Sequence, residues 1–163
     1  MDNEEQNPGV LGPVKAPRII FRAKLDDRGR IKLSAPIFEY FKKLGVTEIF
    51  LTSVDRRIAL LYPMAMWDEN EKMLTGNTKN PGESRIVLFN AHDLGEETEL
   101  DSQGRVTVNA HLRRELELEG ELCLQVVNGR VEIYPGKIYE ERKAAALKQA
   151  PAALDVLERD GFR

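Results

Sequence analysis

The sequence holds a single cysteine (Cys123), two histidines (His92 and His111) and one tryptophan (Trp67) in 163 residues. One cysteine excludes an internal disulfide and makes the cytoplasm the expected compartment. Cys123 lies in a β-rich run and reads as a small packed hydrophobe. The histidines stand far apart, with no cysteine or acid at ligand spacing, so no metal site is expected and both read as surface residues. No apolar run approaches the roughly 18 residues of a membrane helix, and the first residues lack the basic and apolar regions of a secretory signal. No membrane partner is therefore expected. There is no Walker loop, no dinucleotide glycine pattern and no Ser/His/Asp order in a supporting context. These absences predict a non-enzyme with no catalytic residue, no cofactor and no small-molecule substrate.

What is present is a soluble, globular composition, 42% hydrophobic and 31% charged. The length suits one ordinary domain, or two small halves sharing a core. One motif organises the chain. Lys24-Leu-Asp-Asp-Arg-Gly-Arg-Ile-Lys-Leu33 returns as Leu100-Asp-Ser-Gln-Gly-Arg-Val-Thr-Val108. Each copy reads as strand, tight turn, strand. Asp26 and Asp101 accept backbone N–H groups of their turns, and Gly29 and Gly104 supply positive φ. Arg30 and Arg105 open the outgoing strands, where the guanidinium can meet the Asp of its own turn, a symmetry-related Asp, or a group outside the protein. Asp26 and Asp27 suit a turn better than general acid–base work.

In chain order, residues 1–16 carry turns, acids and no periodicity, and read as a mobile tail. A strand is predicted over 18–25, then the turn and a short strand through Leu33. Ser34 is placed to cap a helix with Pro36 in its first turn, carrying Ile37, Phe38, Phe41 and Leu44 and ended by Gly45. Glu48–Ser53 and Arg57–Tyr62 form a hairpin, closed by Pro63. Residues 64–92 read as two helical pieces, broken near Thr75 and restarted at Asn80-Pro81, with Ile86, Val87 and Phe89 as an apolar face. A second copy starts near Glu97. Asn109 caps its helix, and Asn128-Gly129 makes its hairpin turn. From Lys137 the chain reads as helical, with Pro151 interrupting it. The pattern predicts a duplication with these parts: tail 1–16, first repeat 17–63, helical connector 64–94, second repeat 95–135, and C-terminal helix and tail 136–163.

Net charge is −3, but charge is segregated. Between residues 15 and 32 seven basic residues face two acids, whereas between 91 and 113 five acids face two arginines. The first ribbon is basic and the second acidic. Unless each half covers the other, such small sheets stay uncovered, so an intertwined barrel of the two halves is predicted. A repeat used within a chain also serves between chains, so self-association is expected.

The DDRGR and DSQGR turns, with IKL and VTV behind them, resemble the paired Asp-x-x-x-Arg motifs of the MraZ family. Tyr62-Pro63 with Trp67, Asn80-Pro81 leading to Arg85, and Glu132-Ile-Tyr-Pro135 extend the likeness over about residues 18–145. The resemblance implies an α+β, β-rich fold of two SpoVT/AbrB-type swapped-hairpin repeats forming a pseudo-twofold split β-barrel with flanking helices. It implies a nucleoid-associated regulator of transcription that assembles into rings. Such a protein binds short guanine-rich direct repeats of double-stranded DNA upstream of cell-division and cell-wall genes, including its own. It ties Arg30 and Arg28 to DNA contact and makes Arg105 a structural counterpart. Lys24, Lys32, Arg22 and Arg18 are the phosphate-contact candidates around them. The bland alternative is that Arg30 only pairs with Asp26 and holds the turn. The sequence departs from the family at Ser34 and Asn109, where proline is usual, and at Phe38, where the family has an arginine that Arg113 keeps in the second half. A second class stays in view, an antitoxin-like interaction module whose C-terminal helix grips a partner protein.

Overall fold

The computed structural model describes residues 13–163, so most of the predicted tail lies outside the described residues. Its elements are β1 (Phe21–Lys24), β2 (Arg30–Lys32), α1 (Ala35–Lys43), β3 (Glu48–Thr52), β4 (Ala59–Pro63), α2 (Met64–Thr75), α3 (Pro81–Leu94), β5 (Glu96–Glu99), β6 (Arg105–Thr107), α4 (Ala110–Glu115), β7 (Glu121–Val127), β8 (Arg130–Tyr134) and α5 (Gly136–Arg159). The order strand, strand, helix, hairpin thus occurs twice, with α2 and α3 between.

All pairings are antiparallel. A six-stranded sheet has the order β1-β7-β8-β4-β3-β5, and β2 pairs with β6 in a separate two-stranded ribbon. At the first motif turn the two arms pair with each other only next to the turn, through the isolated bridge Leu25↔Ile31 and the Asp26 N–H to Arg30 carbonyl bond. Past the turn the two arms diverge, β1 onto β7 and β2 onto β6, while β5 of the second half pairs with β3 of the first. The halves exchange strands because a three-residue strand cannot hide Ile31 against its own short neighbour, whereas Val106 across the exchanged ribbon can. Among the described residues the six-stranded sheet has β1 and β5 at its edges and does not close into a barrel. The α+β class holds.

Alternation decides the two faces of the sheet. Ile49, Leu51, Leu61, Leu122, Leu124, Val131 and Ile133 point to one side, where Ile31, Phe41, Val106 and Leu112 complete the main core, all of them at most 1% exposed. Phe50, Leu60 and Tyr62 point to the other side and pack on Trp67 of α2 and Ala91 of α3. The Phe50 and Trp67 rings stack with centroids 4.8 Å apart. Cys123 is buried as expected. The β7–β8 turn is Asn128-Gly129 with both φ positive, the backbone that a two-residue hairpin loop of this twist requires.

Three local expectations are corrected. Asn109 caps α4 by accepting the Leu112 N–H at 2.8 Å, but Ser34 makes no such bond to α1. Pro36 at the second helical position has no N–H to give, the Ile37 N–H that corresponds to the donor Asn109 uses is not taken by Ser34, and among the described residues the Ser34 hydroxyl is buried without a partner. Asn80 likewise makes no side-chain cap. Pro151 does not interrupt α5, which runs through it from Gly136 to Arg159. The missing N–H frees the Leu147 carbonyl at a fully exposed stretch where water can take it, against a cost of about 3 kcal/mol for an interior proline. On α3 the buried residues are Ser84, Ala91 and Leu94, while Ile86 and Phe89 face outward.

Candidate nucleic-acid interface

Both motif turns are built the same way. The Asp26 carboxylate accepts the backbone N–H of Arg28 (2.9 Å) and of Arg30 (2.8 Å), and its second oxygen accepts Nε–H of Arg30 at 2.9 Å. Asp101 does this for Gln103, Arg105 and the Arg105 Nε–H at 2.8, 2.9 and 2.8 Å. The pairing of Arg30 with Asp26 is therefore real, and it uses only Nε. Among the described residues the two terminal nitrogens of Arg30 have no hydrogen-bond partner, and the side chain is 26% exposed. An arginine held by one nitrogen with its outer edge free is restricted in rotamer yet still able to donate twice.

The Arg30 backbone N–H is the largest influence holding the Asp26 carboxyl below its ordinary value of 3.8, and the Arg30 guanidinium adds to it. Asp101 is held down in the same manner by Arg105. A depressed carboxylate contributes stability above its unfolded value and loses it as pH falls through the folded one. Melting temperature should therefore stay level at and above pH 5 and decline below about pH 4, with the Asp26→Asn protein showing a shallower acid limb. Thermal melts across pH 2–7 check this; an equal acid limb in Asp26→Asn would remove Asp26 from the account.

The exchange of strands brings the two motifs together. In the ribbon Arg30 lies opposite Thr107 and Lys32 opposite Arg105, with Ile31 and Val106 turned inward. The outward face thus carries Arg30, Lys32 and Arg105. Lys32 and Arg105 directly opposite each other are like charges at close range, a mildly destabilising pair that an anion would relieve. Arg28, Lys24 and Arg18 are exposed. Arg22 is exposed too, but its guanidinium is engaged by Glu121 at 2.9 Å and lies near the Cys123 sulfur.

Arg113 belongs at this site and sequence reasoning did not put it there. A Cβ on Gly29, whose φ is +73°, would stand 2.8 Å from the Cζ of Arg113, so the guanidinium from α4 lies directly on the first turn. Its Nε is buried and has no hydrogen-bond partner among the described residues. At the other turn the Phe38 ring from α1 takes the same place over Gly104, 2.8 Å from a would-be Cβ. The departure at Phe38 was the available signal, but only strand exchange tells which helix covers which turn. The first turn collects Arg28, Arg30 and Arg113; the second has Gln103, Arg105 and a phenyl ring. His92 and His111 are surface residues, bonded to Glu71 at 2.6 Å and 3.6 Å from Asp93. Among the described residues no group of three or more His, Cys, Asp or Glu is placed to hold a metal, and no helix is long and apolar enough to cross a membrane.

These features define a duplicated α+β protein that exchanges strands between its halves and presents two Asp-held arginine turns on one ribbon. A family model described as "MraZ protein, putative antitoxin-like" matches residues 95–156. A protein of Koribacter versatilis is 32% identical over 103 residues, covering 62% of this chain and 69% of that one. One of Moorella thermoacetica is 30% identical over 117 residues (72% and 79%), and one of Dehalococcoides mccartyi is 28% identical over 138 residues (85% and 95%). All three relatives are named "Transcriptional regulator MraZ". The chain belongs to the MraZ family.

Proposed function

We propose that this protein is a sequence-specific DNA-binding regulator of transcription that reads short repeated sites in duplex DNA through the first motif turn. One observation carries the reading: Arg30 is fixed through Nε by Asp26, and among the described residues its two terminal nitrogens have no partner on an outward ribbon face. Arginine presented in this way suits the O6 and N7 acceptors of guanine in a major groove, which is wide enough for a two-stranded ribbon. Arg28 reads beside it. Lys24, Lys32 and Arg18 are the phosphate contacts that set register, and Arg22 is the weakest of the set because Glu121 already holds it. In family terms the exchanged arms are two AbrB-type swapped-hairpin repeats, over 17–63 and 95–135, joined by the connector 64–94. The targets are guanine-rich direct repeats before cell-division and cell-wall genes, and the working location is the nucleoid.

One turn offers too few base contacts for useful specificity, so several copies acting together belong to the reading. Support for self-association lies at the sheet edges. β1 exposes Arg22 and Lys24, and β5, at the opposite edge, exposes Glu97 and Glu99. Edges of opposite charge suit head-to-tail contacts, which close into rings when the rotation permits. The test is to recover and sequence the DNA that the purified protein retains, and to titrate it across salt. Spaced repeats and a log–log salt slope of about −0.9 per phosphate contacted are expected. Retention of random sequence, or an affinity indifferent to salt, would overturn the proposal.

A further inference from the structure

The first turn is covered by a cation that the fold does not require. Arg113 stands on α4 in the second half, and its half-buried side chain reaches across to Gly29. A Cβ there would lie 2.8 Å from Cζ, 3.0 Å from Nη1 and 3.1 Å from Nε, so the flat of the guanidinium rests on the turn. A cation drawn partly out of water normally keeps a carboxylate beside it. Among the described residues Arg113 has neither an ion pair nor a side-chain hydrogen bond. Asp26 is taken by Arg30, Asp27 is exposed, and Glu117 and Glu119 line the same groove as Arg113 without pairing with it. Its Nε is sealed from solvent, but its two terminal nitrogens are not. The side chain is thus immobilised on one edge and keeps two donors for a group outside the protein.

The second turn shows that packing alone does not select arginine here. Over Gly104 the Phe38 ring fills the same place, with a would-be Cβ again 2.8 Å away. Lys42 lies over that ring, 4.8 Å from its centroid, and Glu39 holds its ammonium at 2.9 Å. A phenyl ring therefore covers such a turn as well as a guanidinium does, and the charge at the second turn is neutralised within α1. On the DNA-reading role proposed above for Arg30, we infer that Arg113 is a phosphate contact lent by the second half to the first turn. The reading tip is then built from both halves, and each chain carries one complete tip. Phosphate is favoured over a base edge by position. Arg28 and Arg30 belong to the tip that enters the groove, whereas Arg113 is rooted in α4 behind it, level with the flanking backbone. The planar fork of arginine suits phosphate oxygens, and a phosphate supplies the negative charge that Arg113 lacks inside the protein.

Salt titration of four full-length proteins decides the matter: the parent, Arg113→Phe, Arg113→Gln and Arg113→Lys. Each is titrated on a duplex of guanine-rich direct repeats and on a shuffled duplex of the same composition, with melting temperatures measured alongside. Arg113→Phe copies the cover of the second turn and should melt with the parent; Arg113→Gln keeps a polar stem should the ring not fit. Both should weaken the two duplexes by the same factor, about fivefold per tip at about 0.15 M salt, and cut the log–log slope by about 0.9 per tip. Arg113→Lys, which keeps the charge, should restore the slope. Arg30→Ala differs in kind, since it loses the preference for the repeats. If Arg113→Phe and Arg113→Gln match the parent in affinity and slope while Arg30→Ala fails, the phosphate contact is overturned and the reading of Arg30 stands. A weakening confined to the repeat duplex makes Arg113 a base reader and overturns it too. A lower melting temperature with an unchanged slope reduces Arg113 to packing. A parent that retains neither duplex removes the DNA reading and this contact together.

Discussion

The Arg30→Ala protein should bind its target repeats about 5- to 150-fold more weakly per ribbon tip, the equivalent of the about 1–3 kcal/mol carried by one bidentate base contact. On the proposed reading, in which several copies engage repeated sites, the loss compounds and specific retention should vanish at moderate salt. The fold should survive. Asp26 keeps its bonds to the backbone N–H groups of residues 28 and 30, which do not depend on the side chain at 30. What is lost from the protein is one partly exposed, solvent-screened ion pair, a small contribution to stability. Arg105→Ala is the informative control. It removes the equivalent Nε bond (2.8 Å against 2.9 Å), so its cost in stability should be similar, but it strips a turn that has Gln103 and Phe38 where the first has Arg28 and Arg113. Its effect on DNA affinity should be the smaller. Equal losses in the two proteins would make the turns equivalent readers, and an unchanged Arg30→Ala affinity would return Arg30 to a purely structural role.

That asymmetry marks the limit of what the sequence displays. Short-range chemistry is legible. Asp and Gly four and one residues before an arginine specify the turn, Asn128-Gly129 specifies the hairpin, and Ile37 with Phe41 specifies the buried face of α1. What the turns do with their arms is not local. A motif of strand, turn, strand looks the same whether its arms pair with each other or with another repeat, because period-two alternation fixes a face and not a partner. Only the pairing of β2 with β6 puts Lys32 against Arg105, and only the crossing of α4 over the first turn puts Arg113 on Gly29. The misread caps and Pro151 have a different cause. Ser34 has the right side chain in the right place, but it does not take the Ile37 N–H that corresponds to the donor Asn109 uses, so residue preference alone does not fix the cap geometry. Interior proline is a penalty and not a prohibition, and an exposed helix can meet it.

The strand Arg30-Ile31-Lys32 compresses fold and function into three residues, and its middle one should answer for the fold. Ile31 is wholly buried, pairs with Val106 across the exchanged ribbon and bridges Leu25. Truncating it to alanine removes apolar contact and leaves a cavity where the two halves interlock, a site that cannot collapse without moving both turns. The expected cost is about 2–5 kcal/mol, against total stabilities of about 5–15 kcal/mol for ordinary domains. At roughly 2–4 °C per kcal/mol for a chain of this size, the melting temperature should fall by roughly 4–20 °C. Lys32→Ala, one residue on and facing outward, should hold the melting temperature while weakening DNA and reducing the salt slope by about 0.9. Denaturant unfolding and salt titration of the two proteins separate the effects. An Ile31→Ala protein as stable as the parent would mean that the ribbon neither joins the halves nor aligns the basic face.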